Sequence, residues 1–349
     1  MISIQDDEQI RLDNERFLLD VATGHWKSRA LNFALEAKIA SHLVNGSKSA
    51  FTIAKEIGVN PEFLYRTMRA LSSLGIFREE EEYGVFSQTP KSAIMAESSP
   101  SWTDGLLFES HDFTYKAWTS FRESVKEGKA MGPQSLGYES VWSLTEQNPS
   151  YAPILQRAMS SFTAQAINTI IRETDFSPFE TIADIGGSQG VLLLNILKNN
   201  PSVKKGYNFD LPITIENNKS LVSQRESEFK NEMAKFEDVA GSFFDSVPEA
   251  DCYTLKYIFH DWKDEKCVEI LETISKSMKP NSKIYIFDSV IETKNQPNGF
   301  VWLDLHMMHY VDGRERSATE WKALANSAGF KVESVVSLGM IGRVILSKK

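Results

Sequence analysis

The chain has 349 residues with a formal charge of −9, and 42% of its residues are hydrophobic and 24% charged, a composition typical of a globular protein of one large or two smaller domains. The acidic balance argues against nucleic acid or an anionic membrane surface as a bulk partner. No apolar run approaches membrane-spanning length, and the acidic N-terminus lacks the blocks of a signal peptide. With only Cys252 and Cys267, no disulfide framework is expected, and we predict a cytoplasmic protein.

The first hundred residues predict a helical domain with one hairpin. Leucine and isoleucine recur at every fourth position from Leu31 to Leu43, which predicts a helix that Asn45-Gly46 ends. A helix–turn–helix follows, with a first helix at 51–57 and a second that Asn60 caps and Pro61 begins. A hairpin at 76–86 has four glutamates at its tip, where a DNA-binding wing would carry basic residues. We therefore predict a winged-helix packing module.

The middle of the chain, residues 101–174, is helical and aromatic, with a break at 131–133. From residue 175 onward, strands alternate with helices, which predicts a parallel sheet covered on both faces. The predicted strands are 181–185, 206–210, 252–256, 284–288, 331–336 and 341–347. The boundaries predicted on this basis are a first domain at 1–100, a helical linker at 101–174 that contributes to a substrate pocket, and a catalytic domain at 175–349.

A glycine-rich turn at 184–190 joins the first of these strands to an apolar helix. Gly186, Gly187 and Gly190 let the backbone turn tightly and approach a ligand with its N–H groups. Asp210 ends the next strand, twenty residues after Gly190, where its carboxylate can accept hydrogen bonds from ribose hydroxyls. These features predict a nucleoside-bearing cofactor, against the alternative of a tight turn without a ligand.

The turn fits neither of the usual phosphate-binding patterns. The spacing of a dinucleotide fingerprint fails in both glycine frames, and no Gly-Lys-Ser/Thr follows for a P-loop. A cofactor without phosphates remains, with Asp184 before the turn available to meet a cation. S-adenosylmethionine has a sulfonium, an ammonium and a ribose, so it fits this pattern.

A second group of polar residues belongs to the same edge of the predicted sheet. His260 follows the strand that ends near Leu255, at the carboxyl edge where open parallel sheets bind ligands. Asp288 ends the next strand, and Glu315 lies in the loop at 312–316. A histidine flanked by carboxylates is held in one tautomer with a pKa expected near neutral, as a general base requires.

Taken together and in order, these motifs resemble those of the small-molecule S-adenosylmethionine-dependent O-methyltransferases of the plant caffeate and animal acetylserotonin type. The resemblance covers nearly the whole chain. Beyond the winged helix, it includes Asp184-Ile185-Gly186-Gly187, Phe209-Asp210-Leu211-Pro212, Gly241-Ser242-Phe243-Phe244, Leu255-Lys256, His260-Asp261-Trp262 and Gly313-Arg314-Glu315-Arg316-Ser317.

The resemblance implies a Rossmann-like α/β methyltransferase domain with a mostly parallel seven-stranded sheet, preceded by an all-helical winged-helix dimerisation domain. It also implies a metal-independent enzyme, a homodimer with interlocked N-terminal domains, and His260 as the base that Asp288 and Glu315 flank. The residues expected at the methyl donor are Asp184, Gly186, Gly187, Gly190, Asp210, Leu211, Ser242, Phe243 and Lys256.

The chain departs from the family pattern at two positions. Ser242 stands where the family usually has an aspartate that contacts the adenine amine, so one hydrogen-bond acceptor is retained without its charge. Asp288 stands where the plant enzymes have a glutamate, which shortens that side chain by one methylene.

Two further histidines lie one helical turn apart at His306 and His309. No third or fourth metal ligand accompanies them, so no metal site is predicted. We expect His306 to face the substrate and Met307 to pack against an apolar part of it.

The sequence favours methyl transfer to a hydroxyl of a small aromatic or conjugated metabolite. Two alternatives stay open. A sulfur or nitrogen acceptor needs no strong base, so His260 would then only orient the substrate. A cofactor-binding protein without methylation, acting as a regulator or catalysing a rearrangement, is disfavoured because His260, Asp288 and Glu315 occur together.

Overall fold

The computed structural model describes residues 4–97, 101–148, 150–291, 294–295 and 298–349. These residues divide into two compact units, one of residues up to 116 together with 145–162, the other of 117–144 together with 163–349. The predicted domain ranges include residues 1–3, 98–100 and 149, which lie outside the described residues. Their boundaries at 100 and 174 stay predictions.

The N-terminal part of the first unit is a winged helix. Its helix–turn–helix and hairpin lie within two residues of the predicted positions, and Asn60 caps the second helix by accepting a hydrogen bond from Phe63 N at 3.1 Å. The two-residue strand β1 was not predicted, and it completes a three-stranded sheet of order β1-β3-β2. The elements are α1 (Ile4–Ala22), α2 (Gly24–Glu36), β1 (Lys48–Ser49), α3 (Ala50–Ile57), α4 (Pro61–Ser72), β2 (Phe77–Glu79), β3 (Val85–Gln88) and α5 (Pro90–Ile94).

The prediction of a single helix from Leu31 to Leu43 was wrong. Helix α2 ends at Glu36, Lys38 adopts a left-handed conformation with φ 50°, and a short 3₁₀ helix covers Ile39–Leu43. On a straight helix, residues four apart drift by about 40° per step, so Leu43 would leave the face that Leu31 occupies. The break returns both Ile39 and Leu43 to the buried core of this unit.

Helices fill the middle of the chain, and α7, α10 and α11 each contribute residues to both units. These helices are α6 (Trp102–Ser110), α7 (Asp112–Ala117), α8 (Phe121–Glu127), α9 (Gly132–Ser135), α10 (Val141–Gln147) and α11 (Ala152–Glu173).

A seven-stranded sheet organises the second unit. Five neighbouring strands are parallel, and the last two strands of the chain join antiparallel at one side, in the order β11-β12-β8-β7-β4-β5-β6. The strands are β4 (Thr181–Ile185), β5 (Lys205–Asp210), β6 (Phe236–Ala240), β7 (Ala250–Lys256), β8 (Met278–Phe287), β11 (Phe330–Ser337) and β12 (Gly342–Lys348), with a separate pair β9 (Val290–Ile291) and β10 (Arg316–Ser317). This sheet confirms the predicted fold class.

Helices cover both faces of the sheet with two apolar cores. The helices that alternate with these strands are α12 (Val191–Asn199), α13 (Pro212–Asn218), α14 (Val222–Glu228), α15 (Asp264–Ser277), α16 (Gly299–Tyr310) and α17 (Ala318–Ser327). The strand order changes direction at β4: the next strands in the chain, β5 and β6, lie on one side of it, and β7 and β8 lie on the other. The segments that follow β4, β5, β7 and β8 therefore meet at one carboxyl edge, the usual ligand position in such sheets.

Candidate active site

The glycine turn after β4 is closely packed from below. Gly186 and Gly190 both have φ 70°, which a side chain would strain. A Cβ atom on Gly187 would lie 2.2 Å from Asn208 Oδ1, and one on Gly186 would lie 2.4 Å from Ile258 Cδ1. Only glycines at these positions therefore allow the turn to pack this closely against the side chains at the sheet edge.

Asp210 lies at the end of β5 beside this turn. Its Oδ2 accepts a hydrogen bond from Ser188 N at 2.8 Å, and its Oδ1 accepts one from Leu211 N at 2.7 Å. A carboxylate has about four acceptor positions, so both oxygens can accept further donors. The Leu211 side chain is 52% exposed at the same edge.

Asp184 lies beneath the turn. It is 2% exposed, and its Oδ1 accepts a hydrogen bond from the Thr254 hydroxyl at 2.6 Å. Burial raises the pKa of Asp184 to about 6, while the Thr254 hydrogen bond and the charge on Lys256 act in the opposite direction. The cation that acts on Asp184 within the protein is thus Lys256, and Asp184 is placed to support Gly187 from below.

Lys256 ends β7 next to Tyr257. Its Nζ donates to the Thr163 hydroxyl at 3.2 Å and lies 4.5 Å from the centroid of the Tyr257 ring. Burial lowers the pKa of Lys256 to about 8, against the opposing effect of Asp184 and Asp288.

Ser242 and Phe243 follow β6 at the same edge. The Ser242 hydroxyl accepts a hydrogen bond from Phe244 N at 3.2 Å, so it stabilises its own turn. Phe243 is partly buried and packs edge-on against Trp262, with ring centroids 6.2 Å apart.

His260 lies in a short turn after β7, where the structure brings it against Glu315. Its Nδ1 is 2.9 Å from Glu315 Oε1, and the Glu315 side chain is 1% exposed. An ionised carboxylate only accepts, so Nδ1 carries the proton and Nε2 is the nitrogen that can take one from a ligand. Asp261 Oδ1 lies 3.6 Å from that Nε2.

The pKa of His260 differs from the near-neutral value that the sequence suggested. Burial alone would lower it, but the charges of Asp288, Glu315 and Asp261 outweigh burial and raise the pKa of His260 to about 9. Asp261 thus adds a third carboxylate to the two that the sequence predicted. These carboxylates therefore favour the protonated imidazole in the free protein.

Asp288 supports the histidine turn through the backbone. Its Oδ2 accepts a hydrogen bond from Phe259 N at 3.1 Å, and the side chain is fully buried. Burial raises the pKa of Asp288, Glu315 and Asp261 act in the same direction, and His260 opposes them. Asp288 thus acts on His260 by its charge and by holding the neighbouring backbone.

Two residues without a predicted role, Arg316 and Tyr257, also shape this turn. Arg316 is buried and donates to the carbonyl oxygens of Phe259 and Trp262 at 3.0 and 2.9 Å, which clamps both ends of the turn. In the sequence, only the Arg-Glu-Arg run at 314–316 pointed to Arg316. Tyr257 adopts φ 56° and stacks on the His260 ring with centroids 5.5 Å apart, and nothing in the sequence indicates this strained conformation.

The two predicted histidines of α16 have different surroundings. His306 stacks on Tyr310 at 4.4 Å between ring centroids and faces Trp118 at 6.1 Å. Burial and the neighbouring His309 lower the pKa of His306 to about 4, so it is neutral. Met307 is half-buried next to it, and its carbonyl accepts from Val311 N.

His309 is buried, with both ring nitrogens in hydrogen bonds. Nε2 is 2.9 Å from Ala117 O, and Nδ1 is 2.7 Å from the Ser124 hydroxyl. Neither nitrogen is available to a metal. In the part of the chain that the structure describes, no group of three or more His, Cys, Asp or Glu side chains is arranged to hold a metal ion.

Comparison with known families gives two matches, one in the N-terminal part of the chain and one that begins at residue 118. Residues 118–331 match the O-methyltransferase domain, and residues 19–98 match the O-methyltransferase dimerisation domain. The chain belongs to the O-methyltransferase family. The enzyme is therefore an O-methyltransferase of the small-molecule type, built on the fold of S-adenosylmethionine-dependent methyltransferases.

Similar proteins share this organisation over nearly their whole length. Des-methyl DIF-1 methyltransferase A of Dictyostelium discoideum is 38% identical over 337 residues, which cover 95% of this chain and 92% of that protein. The structure of mitomycin 7-O-methyltransferase has a TM-score of 0.85 at 28% identity, covering 98% of this chain and 100% of that one. N,N-8-amino-8-demethyl-D-riboflavin dimethyltransferase of Streptomyces davawensis has a TM-score of 0.74 at 25% identity, covering 98% and 99%.

Within the described ranges, no helix combines the length and apolar character that a membrane crossing needs.

Proposed function

We propose that this enzyme transfers a methyl group from S-adenosylmethionine to a hydroxyl of a small aromatic or conjugated metabolite, with His260 as general base and no metal. The observation that carries this proposal is the contact of 2.9 Å between His260 Nδ1 and the buried Glu315 carboxylate, at the same sheet edge as the glycine turn. Bound S-adenosylmethionine supplies an electrophilic methyl group on a sulfonium.

The residues at the glycine turn fit this methyl donor. The low turn at Gly186, Gly187 and Gly190 allows a ligand to approach the backbone, and Asp210 can accept from ribose hydroxyls while it holds Ser188 N. The proposed site is completed by Leu211, Ser242, Phe243 and Lys256, with Asp184 beneath it. The carboxylates around His260 also favour a cationic ligand, whose charge in turn lowers the pKa of His260 toward neutral.

His260 removes the proton that makes a hydroxyl oxygen a poor nucleophile. Its Nε2 accepts that proton while Glu315 holds the Nδ1 proton and stabilises the imidazolium that forms. Asp288 keeps the turn in place through Phe259 N. Because the displacement is in-line, alignment of oxygen, methyl carbon and sulfur contributes the rest of the rate.

The acceptor side favours a flat and uncharged ring. His306 is neutral and lies between the rings of Trp118 and Tyr310, and Met307 is half-buried beside it. We place the acceptor against His306 and Met307, with residues of the 101–174 segment such as Trp118 contributing to the pocket. The similar proteins named for des-methyl DIF-1 and mitomycin support a small-molecule acceptor.

A nitrogen acceptor is the second candidate, because one structural neighbour is named as an N,N-dimethyltransferase. The discriminating experiment supplies methyl-labelled S-adenosylmethionine to the purified enzyme with a matched panel of phenols, thioethers and arylamines. We expect label in the phenol products and its loss in His260→Gln. Label confined to amines or thioethers, with His260→Gln unaffected, would reject the hydroxyl assignment.

We further propose a cytoplasmic homodimer that assembles through the N-terminal domain, without nucleic-acid or membrane partners. The match to the dimerisation domain supports this assembly, as do the exposed apolar side chains Phe17, Leu18, Val21 and Trp26 of α1 and α2. Both cysteines are free and buried, in keeping with a reducing compartment. Light scattering at micromolar concentration is expected to give twice the chain mass, and a stable monomer would contradict the dimer.

A further inference from the structure

We propose that Arg225 and Asn218, together with Asn208 and Asp238, are positioning residues that hold the glycine turn in its ligand-binding shape. This inference rests on the proposed binding of S-adenosylmethionine at that turn. The four residues form a polar network below the turn, at the side of the sheet where β5 meets β6.

The network holds two consecutive carbonyl groups of the turn. Ser188 O accepts from Asn208 Nδ2 at 3.0 Å and from Asn218 Nδ2 at 2.8 Å. Gln189 O accepts from Arg225 Nη2 at 2.8 Å. The carbonyl groups at the centre of the turn are thus fixed by donors from three separate elements: β5, the end of α13 and α14.

Asp238 joins these donors to one another. Its Oδ2 accepts from Arg225 Nη1 at 2.6 Å, and its Oδ1 accepts from Asn208 Nδ2 at 2.7 Å. Arg225 is 5% exposed and also lies over the Phe236 ring, 5.0 Å from its centroid. Removing one member therefore leaves buried polar groups unpaired and releases the others from their fixed geometry.

The turn needs this support because its conformation is strained. Ser188 is a non-glycine residue with φ 51°, a conformation that persists only where the surroundings over-determine it. Its N–H donates to Asp210 Oδ2 while its carbonyl is held by the two asparagines. Asp210 and the network therefore hold the two peptide units on either side of the Ser188 Cα, which orients the turn toward the ligand that Asp210 would bind.

The same strand also carries an ion pair in which none of the four network residues takes part. Glu237, next to Asp238 in β6, pairs with Lys205 at 2.6 Å, and both side chains are partly exposed. Glu237→Gln is thus a matched control: it removes one carboxylate from β6 and leaves the turn untouched.

The test compares Arg225→Lys and Asn218→Ala with Glu237→Gln. Arg225→Lys keeps a positive charge beside Asp238 but loses the fork that reaches Gln189 O at the same time. Asn218→Ala keeps the Arg225–Asp238 pair and removes one donor to Ser188 O. Calorimetry measures the Kd for S-adenosylmethionine and for S-adenosylhomocysteine, steady-state kinetics separate the two KM values from kcat, and hydrogen exchange follows the peptide that covers 186–191.

We expect both network variants to raise the Kd and the KM for S-adenosylmethionine by about tenfold, with the KM for the acceptor and kcat at saturating donor within about threefold of the wild type. Exchange at 186–191 becomes faster in both, and Glu237→Gln behaves as the wild type. Unchanged donor affinity in both network variants, with only a lower Tm, would overturn the inference. If Arg225→Lys fails to fold, Asn218→Ala decides.

The outcome separates this inference from the proposed function. A wild-type enzyme that does not bind S-adenosylmethionine fails the proposed function itself. A wild type that binds it, with network variants that bind it equally well, fails the inference alone.

Discussion

Asp288→Asn should move the pH dependence of the reaction to lower pH. The asparagine amide oxygen can still accept the hydrogen bond that Phe259 N donates at 3.1 Å, so the turn that carries His260 keeps its support. The change removes one of the three carboxylates whose charges raise the pKa of His260 to about 9. We therefore expect the pKa of His260 to fall toward 6.5, its ordinary value.

The size of the effect follows from the fraction of neutral imidazole. With a pKa of about 9, only about 1% of the histidine is neutral at pH 7, and each unit by which the pKa falls raises that fraction by about tenfold as long as the pKa stays above 7. The sign is that of a base whose folded-state pKa is raised: the active neutral form appears only as pH rises through that pKa. At pH 7 the variant should thus be relatively more active, and above both ionisations it should resemble the wild type.

The assay is a pH profile of kcat/KM for one acceptor at saturating S-adenosylmethionine, between pH 5.5 and 10. The wild type should show a rising limb at an apparent pKa between 6.5 and about 9, and the limb of Asp288→Asn should lie at least about one unit lower. Asp312→Asn is the control. Asp312 lies in the loop that also carries Glu315, and its partly exposed carboxylate pairs with Lys263 at 2.6 Å. Coincident limbs in the wild type and Asp288→Asn would refute the electrostatic role of Asp288.

Two further variants test the site through geometry and through binding. A Cβ atom on Gly313 would lie 2.1 Å from the backbone oxygen of His260, so Gly313→Ala should lower turnover by about tenfold or more while donor affinity is retained. The control Gly299→Ala, with no atom within 4 Å of its Cβ, should be nearly neutral. Equal turnover in both variants would contradict the placement of the His260 turn. Asp210→Ala should weaken S-adenosylmethionine binding by about 1.5–3 kcal/mol in calorimetry, and a chelator should leave wild-type binding unchanged; unchanged affinity in the variant, or chelator sensitivity, would reject the assignment.

The sequence predicted the parts of the fold that have strong local patterns. The strands Thr181–Ile185 and Ala250–Lys256 have mostly buried side chains, as parallel strands covered on both faces must. The strand Phe236–Ala240 was missed because it lies at the side of the sheet and carries Glu237 and Asp238, charges that suit an edge but disguise a strand.

The sequence predicted which residues form the candidate site better than it predicted the electrostatics around His260. Motif order along the chain and sheet topology bring His260, Asp288 and Glu315 to one edge. The third carboxylate at Asp261 was next to the histidine in sequence, yet its distance from Nε2 depends on the turn conformation. The network around Arg225 has no sequence motif, because its partners lie 13 and 36 residues away along the chain.

The most direct test of the account is the turnover of His260→Gln at saturating S-adenosylmethionine, measured together with donor affinity. A positioned histidine base contributes about 10²- to 10⁴-fold, so turnover should fall by that factor while the Kd for the donor stays within about twofold. The rising pH limb should also disappear. Near-wild-type turnover with an unchanged pH profile would contradict the central claim that His260 removes the proton of a hydroxyl acceptor.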